Sequence, residues 1–563
     1  MLKYSLPLLS FLLFCCNTKV SSVKHTEIPT PKNVVFILAD DIGAEWIGAY
    51  GCTSQQTPNI DHLANQGYVF DNFSSLPLCA PSRQTILTGT HQFRRHKYGN
   101  VMPNGSPTFL QILNNEGFKI GFYGKWDGFD RNIDLADFKI DDYAVFNQGN
   151  RRFWQPEIKE NNRIKTYDKT DYGPDIYNAK LLDFISANKN QKFFAYYAMA
   201  LGHWPFVPTP DSKNKNETNW QTNFTDMVNY ADKLIGKVTK HLESLGIADE
   251  TLVIFTTDNG TYPELTAKLA NDSIAKGGKS YPILSGQHVP FIASYGKHFK
   301  HKRINHLADF TDIFPTLMDV AQVKTLPENY PKLDGESLLP FLLENKPRKK
   351  EYTLSYFGAN NFRDDMRALH IRDKNWKLYS DGRLVNLNND PSEYKFTLGF
   401  NENNTQKEAR NKLQNQLDRY KTDANFNYVE HLIATENGKI IACWNPHLVS
   451  LSNTTEFTID FTPFVTQNTN YKLEIQHFKG EGGVEVSNVK LLKNNTVIAS
   501  DNHKSHSQTE YKNTYQFLVT KAHSVYNLNC NQALDTTAQY ALKFTVTQTQ
   551  KGDSQGIVRF FEE

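Results

Sequence analysis

Cys79 heads the pentapeptide Cys79-Ala80-Pro81-Ser82-Arg83 and is the side chain with the strongest nucleophilic potential. Proline suits a first helical turn, and Gly89 is placed to close a short helix over 84–88. Cys79 would then lie just before that helix. A nucleophile there meets anions with free backbone N–H groups and the favourable end of the helix dipole. Arg83 adds a fixed positive charge. The inert alternative is a free cysteine packed in a proline loop.

Four further segments carry chemistry, and each follows an apolar run. Residues 34–39 lead into Asp40-Asp41, and 119–123 into Gly124-Lys125-Trp126-Asp127. Residues 193–200 lead into Leu201-Gly202-His203-Trp204, and 252–257 into Asp258-Asn259-Gly260. Any one of these could be a cap or a turn. Together, Asp40, Asp41, Asp258 and Asn259 form an oxygen-only set that suits calcium or magnesium rather than zinc. No Cys/His cluster with zinc spacing competes.

The elements that must position these residues are readable. Nearly continuous apolar runs are expected of strands covered on both faces, and their alternation with helix-like segments predicts an α/β unit with a largely parallel sheet. In such sheets the site lies at the carboxyl ends of the strands. Thr57-Pro58 opens one helix and Ser106-Pro107 another, closed by Gly67 and Gly117. An amphipathic helix is predicted over 223–245, with Met227, Ala231, Leu234, Val238 and Leu242 on one face. Beyond about 360 the pattern changes to antiparallel strands at 369–372 and 376–379 and a polar helix at 404–422. Alternating Thr, Val and Tyr from 428 onward predict a β-sandwich. The expected units are a signal segment at 1–22, a catalytic α/β domain at 31–360, a subdomain at 361–427 and the sandwich at 428–563.

The 563 residues carry a formal net charge of only +2, which gives no global attraction to nucleic acid and makes any anion recognition local. At the N-terminus, Lys3, the apolar stretch 6–14 and Cys15-Cys16 read as an export signal, too short to span a bilayer as a mature helix. A cysteine at the end of such a run resembles a lipoprotein signal. Lipid attachment at Cys16 (or Cys15), and a place in the periplasm or on the cell surface of a bacterium, are therefore expected. Cys443 and Cys530 fall in one region and could pair, though spacing alone does not decide it.

The motifs together resemble the formylglycine-dependent sulfatases of the alkaline-phosphatase-like superfamily. The resemblance runs through Asn33-Val-Val-Phe-Ile-Leu-Ala-Asp-Asp, Thr57-Pro-Asn-Ile-Asp-His-Leu-Ala, Cys79-Ala-Pro-Ser-Arg, Gly124-Lys-Trp, Thr257-Asp-Asn-Gly and Asp334-Gly-Glu-Ser-Leu-Leu-Pro. It implies a large mixed, mostly parallel sheet between helices, with a smaller antiparallel C-terminal subdomain. It also implies that a maturing enzyme oxidises Cys79 to formylglycine. Asp40, Asp41, Asp258, Asn259 and the modified Cys79 would hold one calcium ion. Arg83 would stabilise the hydrate, Lys125 and Lys279 would bind sulfate oxygens, and His203 would lie near the leaving oxygen as general acid or sulfate ligand. One hydroxyl of the hydrate attacks sulfur in line and releases the alcohol. The other then collapses to the aldehyde and expels sulfate.

Two departures from the family pattern stand out. Asp127 replaces a common histidine: either it accepts a proton or hydrogen bond from the nucleophile's hydroxyl, or it faces substrate or a lysine and another residue serves the hydrate. The loop from Lys279 to Pro290 carries Leu284 and His288 in place of the usual Glu and Arg, so Lys279 is assigned by its distance to the proline, ahead of Lys276. The aromatics Trp46, Tyr98, Trp126 and Trp204 could stack on sugar rings, and the basic stretch 91–97, with Arg94, Arg95 and His96, could line a polyanion entrance. Export and an appended sandwich favour a sulfated oligo- or polysaccharide, marine or algal, as substrate. The competing readings are a phosphatase or phosphodiesterase on the same fold and a non-catalytic glycan-binding homologue.

Overall fold

A computed structural model describes residues 28–98, 102, 106–129, 135–146, 152–357, 368–380, 382–393, 397, 402–420, 439–444, 454–462, 465, 470–479, 484–501, 522–548 and 555–562. The predicted signal segment, with Cys15 and Cys16, lies outside them. No helix among the described residues is long and apolar enough to cross a membrane.

The apolar runs form the middle of a ten-stranded sheet. Its order is Lys302–Asp309, Gly67–Ser74, Phe291–Ser294, Thr251–Thr257, Asn33–Ala39, Phe193–Ala198, Lys119–Gly124, Asp142–Phe146, Glu157–Glu160 and Arg163–Thr166. The stretch from Thr251–Thr257 to Asp142–Phe146 is parallel throughout, and the outer hairpin is antiparallel. Alternate residues of the central strand enter different cores. Val34, Phe36 and Leu38 join one, while Val35, Ile37 and Ala39 join the other. Burial on both faces is why this strand reads as an unbroken apolar run.

The register fixes the site. Asn33–Ala39 pairs residue for residue with Thr251–Thr257, so Asp40 and Asp258 leave the sheet side by side. The Asp258 N–H donates to the Ala39 carbonyl at 3.2 Å, and that of Asp40 to the Leu201 carbonyl at 3.3 Å.

Three helix starts differ from expectation. The helix after the pentapeptide is Cys79–Thr88, so Cys79 is its first residue and not its forerunner. The helix Phe109–Asn115 is capped by Thr108, not Ser106, because Thr108 and Gln111 form a reciprocal capping box. Trp220–Ser244 begins earlier than 223, since the Asn219 side chain accepts from Thr222 N at 3.0 Å.

A four-stranded antiparallel sheet of Thr353–Phe357, Ala368–Arg372, Trp376–Tyr379 and Leu384–Asn386 packs against Asn404–Tyr420 through Ile371, Leu378, Leu413 and Leu417. The expected division at 360 falls between its first two strands, which pair from Thr353↔Arg372 to Phe357↔Ala368. Two more four-stranded sheets share a core of Leu473, Leu491, Leu542 and Val558, giving the sandwich. Cys530 is a free thiol. Its neighbour strand Ala522–Asn529 and the strand bearing Cys443, Lys439–Trp444, are opposite edges of one sheet. Three strand spacings of roughly 4.8 Å separate them, beyond the roughly 7 Å between Cα atoms that a disulfide spans.

Candidate active site

The strand ends converge on three fully buried carboxylates. Asp40, Asp41 and Asp258 place one oxygen each within 4.8 Å of one another. Asp41 has a left-handed backbone (φ 57°), tolerable for aspartate, and this turn lets its N–H donate to Asp258 Oδ1 at 3.0 Å. Asn259 Nδ2 donates to Asp41 Oδ1 at 2.8 Å. Every acid is matched by a cation. Arg83 Nε donates to Asp258 Oδ2 at 2.9 Å, and its Nη2 is ion-paired with that oxygen at 2.7 Å and lies 3.5 Å from Asp40. Lys125 Nζ donates to Asp40 Oδ1 at 2.8 Å and lies 3.6 Å from Asp127. Lys279 donates to Asp41 Oδ2.

Cys79 and His203 complete the cluster. Cys79 neighbours Lys125, Asp127, Lys279 and Asp258. His203 Nε2 lies 3.8 Å from Asp41 Oδ2. Its Nδ1 lies 2.5 Å from the Trp204 carbonyl and 3.1 Å from Arg152 Nη1. Those two Nδ1 contacts exclude each other for one tautomer, since the first needs Nδ1–H and the second a bare Nδ1.

The charge states follow from burial against neighbours. Burial raises the Asp40 carboxyl, but the charges of Lys125 and Arg83 outweigh it and hold it well below the usual range. Burial also opposes ionisation of Asp127, and Lys125 and Arg83 again win, leaving it a carboxylate. For Asp258, burial and the adjacent Asp40 prevail and push it up to about 7. Burial pushes the Cys79 thiol up, more than Lys125 pulls it down, so the unmodified thiol is a poor nucleophile at neutral pH. Burial, Lys279 and Lys125 keep His203 neutral.

Two buried acceptors, Asp40 Oδ2 and Asn259 Oδ1, have no hydrogen-bond partner. An unsatisfied buried polar atom costs about 1–3 kcal/mol, and a hard cation would satisfy both. The donor set therefore fits calcium.

The structure thus brings together all ten residues singled out: Asp40, Asp41, Cys79, Arg83, Lys125, Asp127, His203, Asp258, Asn259 and Lys279. Lys276 instead ends an exposed hairpin strand, Ile274–Lys276. Other expectations are corrected. Trp46 and Trp126 are core residues, packed on Phe224 and on Phe122 and Phe129 respectively. Arg94 is bound to Asp334, and Arg95 is buried against Gln84 and Thr85, so neither lines an open basic entrance. The His96 and Tyr98 side chains lie outside the described residues. Trp204 alone of the described aromatics remains half-exposed beside His203. Sequence reasoning missed Arg152, Glu45 and the Glu393–Lys377 pair described below; none follows an apolar strand.

Comparison with known proteins agrees with this geometry. The sulfatase family model matches residues 32–323, and that for the C-terminal part of N-sulphoglucosamine sulphohydrolase matches 283–423. The N-acetylgalactosamine-6-sulfatase of Rattus norvegicus is 29% identical over 361 residues, 56% of this chain and 66% of the rat protein. This chain thus spans just under two thirds of that relative. An ulvan-active sulfatase of Formosa agariphila is 24% identical over 446 residues, 73% of this chain and 84% of that protein. The solved complex of Ps i-CgsB with k-i-k-neocarrahexaose superposes with a TM-score of 0.57 at 22% identity, covering 72% of this chain and 98% of that one. The fold is shared, the first family model spans just over half of the residues, and the motif residues meet in one site: the chain belongs to the sulfatase family.

Proposed function

We propose that this protein is a sulfuric-ester hydrolase that removes sulfate from a sulfated carbohydrate, with formylglycine made from Cys79 as nucleophile. The observation that carries the reading is the position of Cys79. It is the first residue of a helix, next to Asp127, and stands beside three buried carboxylates and the unpartnered acceptors Asp40 Oδ2 and Asn259 Oδ1.

Calcium would be held by Asp40, Asp41, Asp258, Asn259 and residue 79, and would polarise the nucleophile and the sulfate oxygens. The oxidised residue 79 supplies a hydrate whose second hydroxyl gives the sulfate a way out. Asp127, an ionised carboxylate next to residue 79, takes the proton of the attacking hydroxyl. Arg83 is fixed by Asp258 and contributes a permanent charge next to the nucleophile. Lys125 and Lys279 stay protonated because Asp40 and Asp41 outweigh burial, and they bind the non-bridging sulfate oxygens. His203 is neutral, so the tautomer with its proton on Nε2 steadies the departing sugar oxygen by a hydrogen bond, and that oxygen takes its proton from water.

The relatives support the carbohydrate half of the reading. By their names they act on N-acetylgalactosamine 6-sulfate or on ulvan, and one solved neighbour binds k-i-k-neocarrahexaose. A marine or algal polysaccharide, export to a bacterial periplasm or surface and lipid attachment at Cys16 belong to the same proposal, supported by the sequence pattern of residues 1–22.

Two measurements test it. Mass analysis of the peptide bearing Cys79, after expression with a maturing enzyme, should show the aldehyde or its hydrate. The same preparation should release sulfate from a panel of sulfated oligosaccharides. An intact thiol and no sulfate released would sink the reading.

A further inference from the structure

We infer that Arg152 reads a second anionic group on the substrate sugar, beside the sulfate ester that is cleaved. This rests on the sulfated-carbohydrate reading above and deepens it.

The argument starts from charge matching. Arg83, Lys125 and Lys279 each bond a carboxylate of the site. Arg152 stands in contact with the same site, 3.1 Å from His203 Nδ1, yet no described carboxylate pairs with it. Its Nε is buried without a hydrogen-bond partner. An arginine donor buried and unmatched at a substrate-binding histidine is costly unless something else brings the acceptor.

Geometry points the same way. The guanidinium carbon lies 5.4 Å from the Phe146 ring centroid and 6.0 Å from that of Phe153. These rings restrain a group that long side chains otherwise leave free. His203 separates Arg152 from Asp41: Nε2 faces the carboxylates and Nδ1 faces the guanidinium. A sugar whose scissile oxygen meets Nε2 therefore has Arg152 one imidazole width away, at the scale of a neighbouring ring substituent. Trp204, half-exposed next to His203, offers an apolar wall for that ring. Guanidinium favours a planar or tetrahedral oxyanion, which it grips with paired N–H donors. On a sulfated glycan the shared chemistry is an anionic oxygen group, either a uronate carboxylate or a second sulfate ester.

The test uses the full chain carrying Cys79→Ala, saturated with calcium, so that bound sugar is not turned over. Calorimetric titration compares three disaccharides: a sulfated one with an adjacent uronate, its carboxyl-reduced counterpart, and a neutral-sugar disaccharide with two sulfates. Adding Arg152→Met should weaken one of the two dianionic sugars about 10- to 100-fold, the worth of a charged hydrogen bond. The carboxyl-reduced monosulfate should change by less than about threefold, and Arg152→Lys should restore part of the loss as a point charge. The dianion affected identifies carboxylate or sulfate. Equal loss on all three, or no loss on any, overturns the inference while leaving the sulfatase reading intact. Failure of the Cys79→Ala parent to bind any of them removes both. The unfolding midpoint of Arg152→Met, unchanged from its parent, separates a binding effect from a folding one.

Discussion

Glu393→Gln should cripple the site from a distance, because Glu393 holds the loop that presents Lys279. Its Oε1 accepts from Lys377 Nζ at 3.0 Å and from Leu284 N at 2.6 Å, and its Oε2 accepts from the Tyr379 hydroxyl. Lys377 and Tyr379 also donate to the Pro282 carbonyl, at 2.5 and 2.8 Å. Pro282 lies three residues after Lys279, and Ser280 N donates to the Pro77 carbonyl at 2.7 Å, just before Cys79. The pair is dry, with each side chain 1% exposed. Removing one partner of a buried ion pair costs about 3–5 kcal/mol. Glutamine keeps one acceptor oxygen, so the lower end, about 3 kcal/mol, is expected.

The pH dependence gives a sharper check. Burial pushes the Lys377 ammonium down to about 8, with Glu393 pulling it back up. Without that carboxylate the folded value falls further, while the unfolded value stays near about 10.4. A depressed folded pKa means stability present at high pH and lost as pH falls through it. The deficit of Glu393→Gln should therefore be largest near pH 6 and shrink towards pH 8, where the lysine of the variant is already neutral. Denaturant melts across that range measure it, and sulfate release at each pH should fall in step. Lys377→Met combined with Glu393→Gln should be more stable than the sum of the two single changes by at least about 1 kcal/mol. Strict additivity, with a pH-independent deficit, would refute the clamp.

Cys79→Ser, in a host that modifies only cysteine, should lose turnover by about 10³-fold or more, the scale of removing a nucleophile. Full multiple turnover by that variant excludes the formylglycine route. Calcium at 100 times its dissociation constant should stabilise the protein by about 2.7 kcal/mol, and Asp40→Asn should abolish that shift in the melting midpoint; an undiminished shift would place the cation elsewhere. Burial raises the Glu45 carboxyl to about 7, partly opposed by the Thr261 hydroxyl that donates to it at 2.6 Å. A raised acid contributes stability below its unfolded pKa that is lost as pH climbs through about 7. Its partial exposure makes about 3 kcal/mol an upper bound on that loss. Glu45→Gln should flatten the decline in melting temperature between pH 5 and 8, and parallel profiles for parent and variant would dismiss the assignment.

What the sequence disclosed, and what it hid, has one physical cause. The strands leading to Asp40, Lys125, His203 and Asp258 are buried on both faces, so each is written as an apolar run with its functional residue directly after it or, for His203, within five residues. Local pattern and tertiary position coincide there. They do not coincide at the sheet's edge, where Arg163–Thr166 is exposed at every position and carries no apolar signal. They fail again at Arg152 and Glu393. Nothing beside Arg152 marks it, and its meaning comes from a histidine 51 residues away. Glu393 acts on a backbone N–H 109 positions earlier and is held in a left-handed backbone conformation (φ 59°) that no local rule predicts for glutamate. Strand-end chemistry is encoded within a few residues, whereas these two depend on the finished fold. The residues to which the proposed reaction is assigned are accordingly the legible ones. Those that tune its substrate and brace its loop emerge only when the parallel sheet and the small antiparallel sheet are assembled. Substrate preference and pH tolerance should therefore vary through Arg152 and the Glu393–Lys377 pair without any change in the motif residues.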